Sequence, residues 1–390
     1  MEANLEFSSS LPSELWIEIF YKINSFTQLE QCSLVSQRWK KLAESVIFNR
    51  NITLTDDIDA RAFVNYFTSN KEKRGRIKYL TMMPQYVPLG SFNEVLSLAL
   101  TRNMEFFNGA VEGVEFFKVL LGIVGYKSKF KKLKTIPSAW TYSNVYDKLL
   151  YVFRNTLVDV KVNIRRPLFD KKVRWDTLRR LDKLKNLKSF SFNSYIHNIE
   201  ETESILKNCN FLEELTIHLS LKNEIKNAHD IYIWMEENVK RNFTLKYLRV
   251  KVGQTYHSYL IDYLMYKYPN VKVVVIDNLP FKEAWGTYVT TDFMDVSDIN
   301  SVLDKTKKVS YYKLECGVLE YKVNDMVGLL KSDDHAIINI YIKYPMFLCT
   351  ALQISSNSIK SREIFYCSTL CFFRNVLPQQ FYRSAGNIRL

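Results

Sequence analysis

Residues 10–48 read SLPSELWIEIFYKINSFTQLEQCSLVSQRWKKLAESVIF, and this stretch contains three successive helical patterns. Pro12 suits the first position of a helix, where its missing N–H costs nothing, and Glu14 then lies in the positively polarised first turn. The sequence therefore predicts that a helix begins at Pro12. Its apolar residues recur at spacings of three and four, as in an amphipathic helix with a wide apolar face. They are Leu15, Trp16, Ile19, Phe20 and Ile23.

Two more helices are predicted, each with its own start signal. Thr27 and Glu30 form a capping-box pattern just before an apolar run, so we expect the second helix to begin at Thr27. Ser36 can cap the third helix, whose Lys40 and Lys41 would face water. The apolar residues are Leu29, Cys32, Leu34 and Val35 in the second helix, and Trp39, Leu42, Ala43 and Val46 in the third. Three such helices cannot bury this surface among themselves, because domains of about forty residues are marginal without a disulfide, a metal or a partner. A partner protein is the economical explanation.

The stretch resembles the F-box, the motif by which substrate receptors dock on the Skp adaptor of cullin-RING ubiquitin ligases. The resemblance rests on Leu11-Pro12-x-Glu14-Leu15-x-x-x-Ile19-Phe20 and on Ser33-Leu34-Val35-Ser36-x-Arg38-Trp39-x-x-Leu42. Ser36 replaces a common Cys and Ile47-Phe48 a common Leu-Trp, and neither change removes an apolar anchor. The resemblance implies an F-box over residues 8–50 that binds a Skp-type adaptor and through it a cullin. The expected adaptor contacts are Leu11, Pro12, Leu15, Ile19, Leu34, Val35 and Trp39. The simpler alternative is that these are core residues of a helical subdomain.

Composition and charge bound the class of protein. The chain has 390 residues, of which 47% are hydrophobic, so we expect a folded protein with a large core. Its six cysteines show no paired spacing and its N-terminus shows no signal segment, which favours the cytosol or nucleus. The apolar residues 364–373 are too few to span a bilayer, so no membrane anchor is expected.

The net charge of +13 lies outside the N-terminal helices, and it is densest in residues 161–188, with eleven basic residues and three aspartates. Such a surface can attract acidic or phosphorylated protein segments or nucleic acid. A solvated, lysine-rich helix face explains it more simply, and we favour that interpretation. Nucleic acid is therefore not the partner that we expect.

One apolar template recurs after residue 50: a large apolar residue, two intervening positions, a second apolar residue, one intervening position and a third. It is clearest at 187–192 (LKSFSF), 212–217 (LEELTI), 245–250 (LKYLRV) and 271–276 (VKVVVI). From Leu157 the first positions are 30, 25, 33 and 26 residues apart, in or just above the range of leucine-rich repeats. The alternation at the end of each template predicts a short strand. Further matches begin at Ile77, Tyr311, Ile337 and, more weakly, Cys367, with degenerate units at Met104 and Leu133.

Helical patterns lie between these strands, for example at Ile231, Trp234 and Met235, and a helical pattern also includes Leu178, Leu181 and Leu184. Alternating strands and helices predict the α/β class, here a leucine-rich-repeat solenoid over residues 51–390 with about nine to eleven irregular units and a curved parallel sheet. It resembles the repeat domains that follow F-boxes in fungal-type substrate receptors. A doubly wound α/β sheet is the rival, but none of the eleven glycines forms a phosphate cradle. Residues 280–304 fit no template.

Catalytic signals are weak throughout. The histidines and cysteines show no metal-ligand spacing, and no nucleophile elbow or paired Cys and His signature occurs. Cys367 and Cys371 lie in an apolar segment and are interpreted as buried. We therefore expect a protein that is not an enzyme and that needs no metal or cofactor.

The intervening positions of the strands would point away from the core, on the face where partners of solenoids bind. Because Tyr and Arg are favoured at binding hot spots, the row that includes Tyr247, Arg249 and Lys251 is the best candidate. The expected target-binding residues are Lys161, His218, Tyr247, Arg249 and Lys251, and Asp277 shares their face. A merely solvated sheet face is the alternative. Together, the sequence favours a substrate receptor that holds an unknown target protein, with an F-box scaffold outside any ligase as the second hypothesis.

Overall fold

The structure is a computed structural model that describes most of the chain in fifteen segments. The chain divides into two compact units, Met1–Ser191 and Phe192–Leu390, and the boundary falls within one strand. Some residues for which predictions were made lie outside the described segments. They are Cys367, Cys371, most of 280–304 and 165–176. The described residues are 11–23, 25–82, 89–111, 113–125, 130–164, 177–196, 199–221, 228–252, 258–278, 301–302, 304–306, 309–319, 336–344, 347–355 and 364–366.

The first unit begins with the three predicted helices, two of which begin at other residues than predicted. They are α1 (Ser13–Lys22), α2 (Phe26–Val35) and α3 (Gln37–Asn49). Pro12 has extended backbone angles, so it precedes α1 as its cap rather than opening it. Ser25 caps α2 by accepting a hydrogen bond from the N–H of Gln28, so the capping box predicted at Thr27 was wrong. Ser36 caps α3 as predicted, accepting from the N–H of Trp39 at 3.1 Å.

After α3 the first unit alternates strands and helices. Neighbouring strands from β1 to β5 pair in parallel and in sequence order. The pattern at Leu178 forms a 3₁₀ helix rather than an α-helix. The elements are β1 (Ile52–Leu54), α4 (Asp57–Ser69), a 3₁₀ helix (Lys71–Arg76), β2 (Tyr79–Met82), α5 (Leu89–Ala99), β3 (Phe106–Val111), α6 (Val114–Val124), β4 (Ser138–Ala139), α7 (Asn144–Val152), β5 (Asp159–Ile164), a 3₁₀ helix (Leu178–Lys183) and β6 (Ser189–Ile196), which crosses the boundary.

The second unit continues the alternation and then changes. Strands β7 to β11 pair in parallel and in sequence order, whereas β12 pairs antiparallel with β11 and with β13. The template at the C-terminal end did not predict this antiparallel pairing. The elements are α8 (Ile199–Leu206), β7 (Glu214–Leu221), α9 (Ala228–Asn238), β8 (Tyr247–Val252), α10 (Ser258–Lys267), β9 (Val273–Asn278), β10 (Tyr311–Leu319), β11 (Ala336–Tyr344), β12 (Phe347–Ser355) and β13 (Ile364–Tyr366).

The apolar template forms the core of both units. Every template residue of the six units that begin at Ile77, Leu157, Leu187, Leu212, Leu245 and Val271 is buried. The second positions pair with each other across the strands, as Leu215 does with Leu248 and Leu248 with Val274. At β10 the register moves by two residues, so that Leu314 pairs with Ile276 instead of Val274.

A repeated backbone hydrogen bond marks the same units. In these units, the residue after the first template residue has a backbone carbonyl oxygen that accepts hydrogen bonds. The donors are N–H groups at the start of the next strand. Lys78 O accepts from Glu105 and Phe106, and Glu213 O accepts from Lys246 and Tyr247. The degenerate unit at Leu133 has the same hydrogen bonds, because Lys134 O accepts from Val158 and Asp159. This unit is therefore a repeat of the same kind despite its weaker template.

Gly109 explains why one of those units departs from the template. It stands at the third template position and pairs with Met82. Its φ is 139°, and a Cβ there would lie 2.1 Å from the Met82 carbonyl oxygen. Only glycine tolerates this approach.

The predicted α/β class is confirmed, with N-terminal helices followed by parallel strands and helices. A doubly wound sheet would reverse its strand order at a switch point. The described strands β1 to β5 and β7 to β11 keep sequence order instead. The boundary at residue 50, the curvature and the leucine-rich-repeat class stay predictions.

Candidate docking site

An aromatic cluster sets the arrangement of α1 and α3. The ring centroid of Trp16 lies 4.5 Å from that of Trp39, and Phe20 lies 5.3 Å from Trp39. Phe20 is buried, while the two tryptophans are half-buried. Trp39, an expected adaptor contact, therefore packs between the helices of its own chain. Its role in adaptor binding stays a prediction.

Helix α4 covers part of the apolar surface that seemed to require a partner. Phe26 of α2 packs against Phe63 and Phe67 of α4, with centroids 5.6 and 6.2 Å apart. Phe48 of α3 packs against Phe67 at 6.1 Å. The inference that three helices lack a core overlooked this fourth helix, because its apolar residues belong to the segment after the motif.

Several apolar residues of α1 and α2 remain exposed. Leu15 and Ile19 are each 44% exposed, Val35 is 64% exposed and Leu34 is 81% exposed. Pro12 is exposed and Leu11 half-buried. Tyr21 is also 44% exposed, and it was not predicted as a contact because it lies outside the apolar stripe of α1. We call Leu15, Ile19, Leu34 and Val35 the docking face.

Two arginines hold the ends of α1. Arg38 donates a hydrogen bond to the Leu11 carbonyl oxygen at 2.7 Å, ahead of the helix. Arg50 donates to the carbonyl oxygen of Ile23, just after the helix. Neither contact could be predicted from local sequence, because each joins residues 27 positions apart. They fix α1, and with it Leu15 and Ile19, relative to α3.

A second candidate surface lies on the strands of the second unit. Three rows of Cα partners cross β7, β8 and β9: Glu214, Tyr247 and Val273; Thr216, Arg249 and Val275; and His218, Lys251 and Asp277. Four of the five expected target-binding residues are thus neighbours. Nη2 of Arg249 lies 2.9 Å from Oδ2 of Asp277, so these two charges neutralise each other.

The electrostatics of this surface favour a neutral histidine. Burial and the nearby Lys251 ammonium group lower the pKa of His218 to about 4, and Asp277 opposes them only in part. His218 is therefore uncharged at physiological pH.

The fifth expected residue, Lys161, belongs to β5 of the first unit. Its side chain is exposed, and Nζ lies 3.8 Å from Oδ2 of Asp159. In the basic stretch 161–188, the described residues Arg179, Arg180, Lys183, Lys185 and Lys188 are exposed as well.

The described parts of the chain contain no group of three or more His, Cys, Asp or Glu side chains placed to hold a metal ion. A search of the same parts finds no helix whose length and apolar character would let it span a membrane.

Comparison with known proteins identifies the N-terminal segment. Residues 8–55 match the family model described as F-box-like. The chain carries an F-box-like domain at its N-terminus. The three helices and the docking face belong to this F-box-like domain. No curated protein matches the chain.

Among the solved structures that match is a yeast one, the crystal structure of the Rad7 and Elc1 complex. The matched chain is 12% identical with a TM-score of 0.40, and the match covers 88% of this chain and 92% of that chain.

Proposed function

We propose that this protein is the substrate-recognition subunit of an SCF-type cullin-RING ubiquitin ligase. Its F-box-like domain binds a Skp-type adaptor, which links it to a cullin, and its repeats bind the target protein. The observation that carries the proposal is the docking face, which presents four aliphatic side chains to solvent on an F-box-like domain.

The docking face is energetically suited to a protein partner. Burying one exposed Leu, Ile or Val completely contributes about 1.5 to 3 kcal/mol, so a few partly exposed side chains supply several kcal/mol. Most binding energy in protein interfaces comes from a few such residues that lose their water.

The second half of the proposal concerns the target. We infer that the repeats are of the leucine-rich class, an inference supported by the spacing of the buried template residues and by the parallel pairing of successive strands. Lys161, His218, Tyr247, Arg249 and Lys251 would contact the target on the face away from the core. The protein is not itself catalytic. It acts by proximity, because holding a target near a reactive thioester on another subunit raises its effective concentration.

Binding to a purified Skp-type adaptor tests the first half. We expect Leu15→Ala with Ile19→Ala to weaken binding at least a hundredfold, since both truncations remove docking-face area. Ile58→Ala is the matched control, because Ile58 is 69% exposed but lies on α4. Unchanged affinity in the double variant would refute the proposal.

The alternative function is an F-box scaffold outside a ligase, and the cullin discriminates between the two. The protein is purified from the cytosolic and nuclear fractions of cells. Recovery of both the adaptor and a cullin with it supports the ligase. Recovery of the adaptor without a cullin supports the scaffold.

A further inference from the structure

Asp59 is a buried carboxylate that lies just beyond the F-box-like match, which ends at residue 55. It belongs to the first turn of α4 and is only 3% exposed. Its Oδ1 accepts hydrogen bonds from the hydroxyl groups of Ser25 at 2.9 Å and Thr27 at 3.0 Å. Its Oδ2 accepts one from the hydroxyl group of Thr55 at 2.9 Å. One side chain therefore joins the start of α2 to the chain after β1.

The same contacts make Asp59 part of the cap of α2. Oγ of Ser25 accepts a hydrogen bond from the N–H of Gln28 at 3.4 Å, while the Ser25 hydroxyl group donates one to Asp59. The backbone N–H of Thr27 also points to Oδ1, at 3.4 Å. Burial by itself would raise the pKa of Asp59, but the hydrogen bonds from Thr55, Ser25 and Thr27 outweigh it and lower the pKa. The group is ionised at neutral pH, as strong acceptance requires.

The opposite end of α2 carries half of the docking face. Leu34 and Val35 are its last two residues, about 15 Å from its start for a ten-residue helix. Phe26 and Leu29 are buried, and their apolar contacts keep α2 from moving away from the core. Apolar contacts resist separation but tolerate sliding and rotation better than directional hydrogen bonds do. The bonds to Asp59 therefore fix the axial position and rotation of α2.

We propose that Asp59 is a positioning residue for adaptor docking, a role that rests on the proposed function. It holds the start of α2 so that Leu34 and Val35 form one surface with Leu15 and Ile19 of α1. The docking domain then extends through α4 instead of ending with α3.

Asp59→Ala and Asp56→Ala in the full-length chain test this role. Asp56 is the matched control, because it caps α4, the helix that contains Asp59, by accepting a hydrogen bond from the N–H of Asp59 at 2.8 Å. In the described structure its side chain makes no hydrogen bond to α2. Both variants should lower Tm. Only Asp59→Ala should speed amide hydrogen exchange in residues 26–35 relative to 144–152 and raise the Kd for the adaptor, each about tenfold.

A second pair of variants protects the test against misfolding. Thr27→Val removes one hydroxyl donor to Asp59 at nearly constant shape, and we expect a rise in Kd of about threefold. Thr27→Ser keeps the donor and should bind the adaptor like the wild type.

Three outcomes separate the two proposals. Equal exchange and equal affinity in Asp59→Ala and Asp56→Ala, with wild-type binding intact, would overturn the role of Asp59 alone. Equal affinity of the Thr27→Val and Thr27→Ser variants would do the same. Failure of the wild-type chain to bind any Skp-type adaptor would overturn the proposed function and the positioning role with it.

Discussion

Nη2 of Arg38 donates a hydrogen bond to the carbonyl oxygen of Leu11 at 2.7 Å and approaches Oγ of Ser13 at 3.4 Å. The contact ties the start of α3 to the residues just before α1. The position of Leu11 and Pro12, two expected adaptor contacts, therefore depends on a side chain from another helix.

Replacing Arg38 should weaken adaptor binding without unfolding the domain. Arg38→Ala removes a charged donor, which we expect to cost about 1 kcal/mol of binding, roughly fivefold in Kd, because the pair is exposed to solvent. Titration calorimetry measures the affinity. Lys40→Ala, which removes an exposed charge from the same helix, should change Kd less than twofold. Equal effects would mean that charge alone matters.

The second unit contains a buried ion pair whose loss should be severe. Nζ of Lys267 lies 2.8 Å from Oε2 of Glu203, and these side chains are 1% and 6% exposed. Lys267→Met leaves Glu203 buried without its cation, and among the described residues the hydroxyl group of Tyr263, at 2.6 Å, is the side-chain donor that remains. We expect a loss of about 3 to 5 kcal/mol in the free energy of unfolding, measured by chemical denaturation.

The double variant Lys267→Met with Glu203→Leu is the control for that pair. Because the double variant has neither charge, its loss in the free energy of unfolding should be well below the sum of the losses in the two single variants. Additive costs would show that the two residues do not act as a pair.

His218 should make stability depend on pH. Its pKa is about 4 in the folded protein against 6.5 for an ordinary histidine, so the unfolded chain binds the proton first. Stability is then full above about pH 6.5 and falls by up to roughly 3 kcal/mol as the pH drops to about 4. His218→Gln should reduce this dependence, as measured by urea unfolding between these pH values. The same slope in both proteins would contradict the assignment.

Asn242 should stabilise the contact between neighbouring repeats. Its amide group donates to the Cys209 carbonyl oxygen at 2.6 Å, and its side chain is buried. Equivalent amide contacts join Asn103 to Gly75 and Asn186 to Asn155 in the first unit. Asn242→Ala should lower the free energy of unfolding by about 1 to 3 kcal/mol.

Asn238→Ala is the matched control in the same region. Asn238 is exposed and bonds only to Trp234 O within its own helix among the described residues. Its loss should cost less than about 0.5 kcal/mol. A similar cost for both variants would contradict the proposed role of Asn242.

Local spacing in the sequence determined the class of fold and much of the core. The three-helix pattern and the buried template positions follow from periods of 3.6 and two residues, which decide which side of an element is apolar. The cap at Ser36 follows from its side-chain hydroxyl, which can accept a hydrogen bond from a free N–H of the first turn. That is why Leu248 and Val250 could be assigned to the core with their neighbours unknown. Similar reasoning assigned Leu15 and Ile19 to an apolar face.

Tertiary structure decided which apolar and polar residues meet, because those contacts join residues about thirty positions apart. Phe26 is covered by Phe63 of α4, whereas Leu34 on the same helix stays exposed, and periodicity treats both as apolar. Thr27 was predicted to cap its helix, but its hydroxyl group instead donates a hydrogen bond to a carboxylate 32 residues away. Hydrogen bonds and burial depend on distance in space, which a local pattern does not contain. The sequence therefore determined the F-box-like helices and the repeats, and only the folded chain decided which of their apolar residues form the docking face.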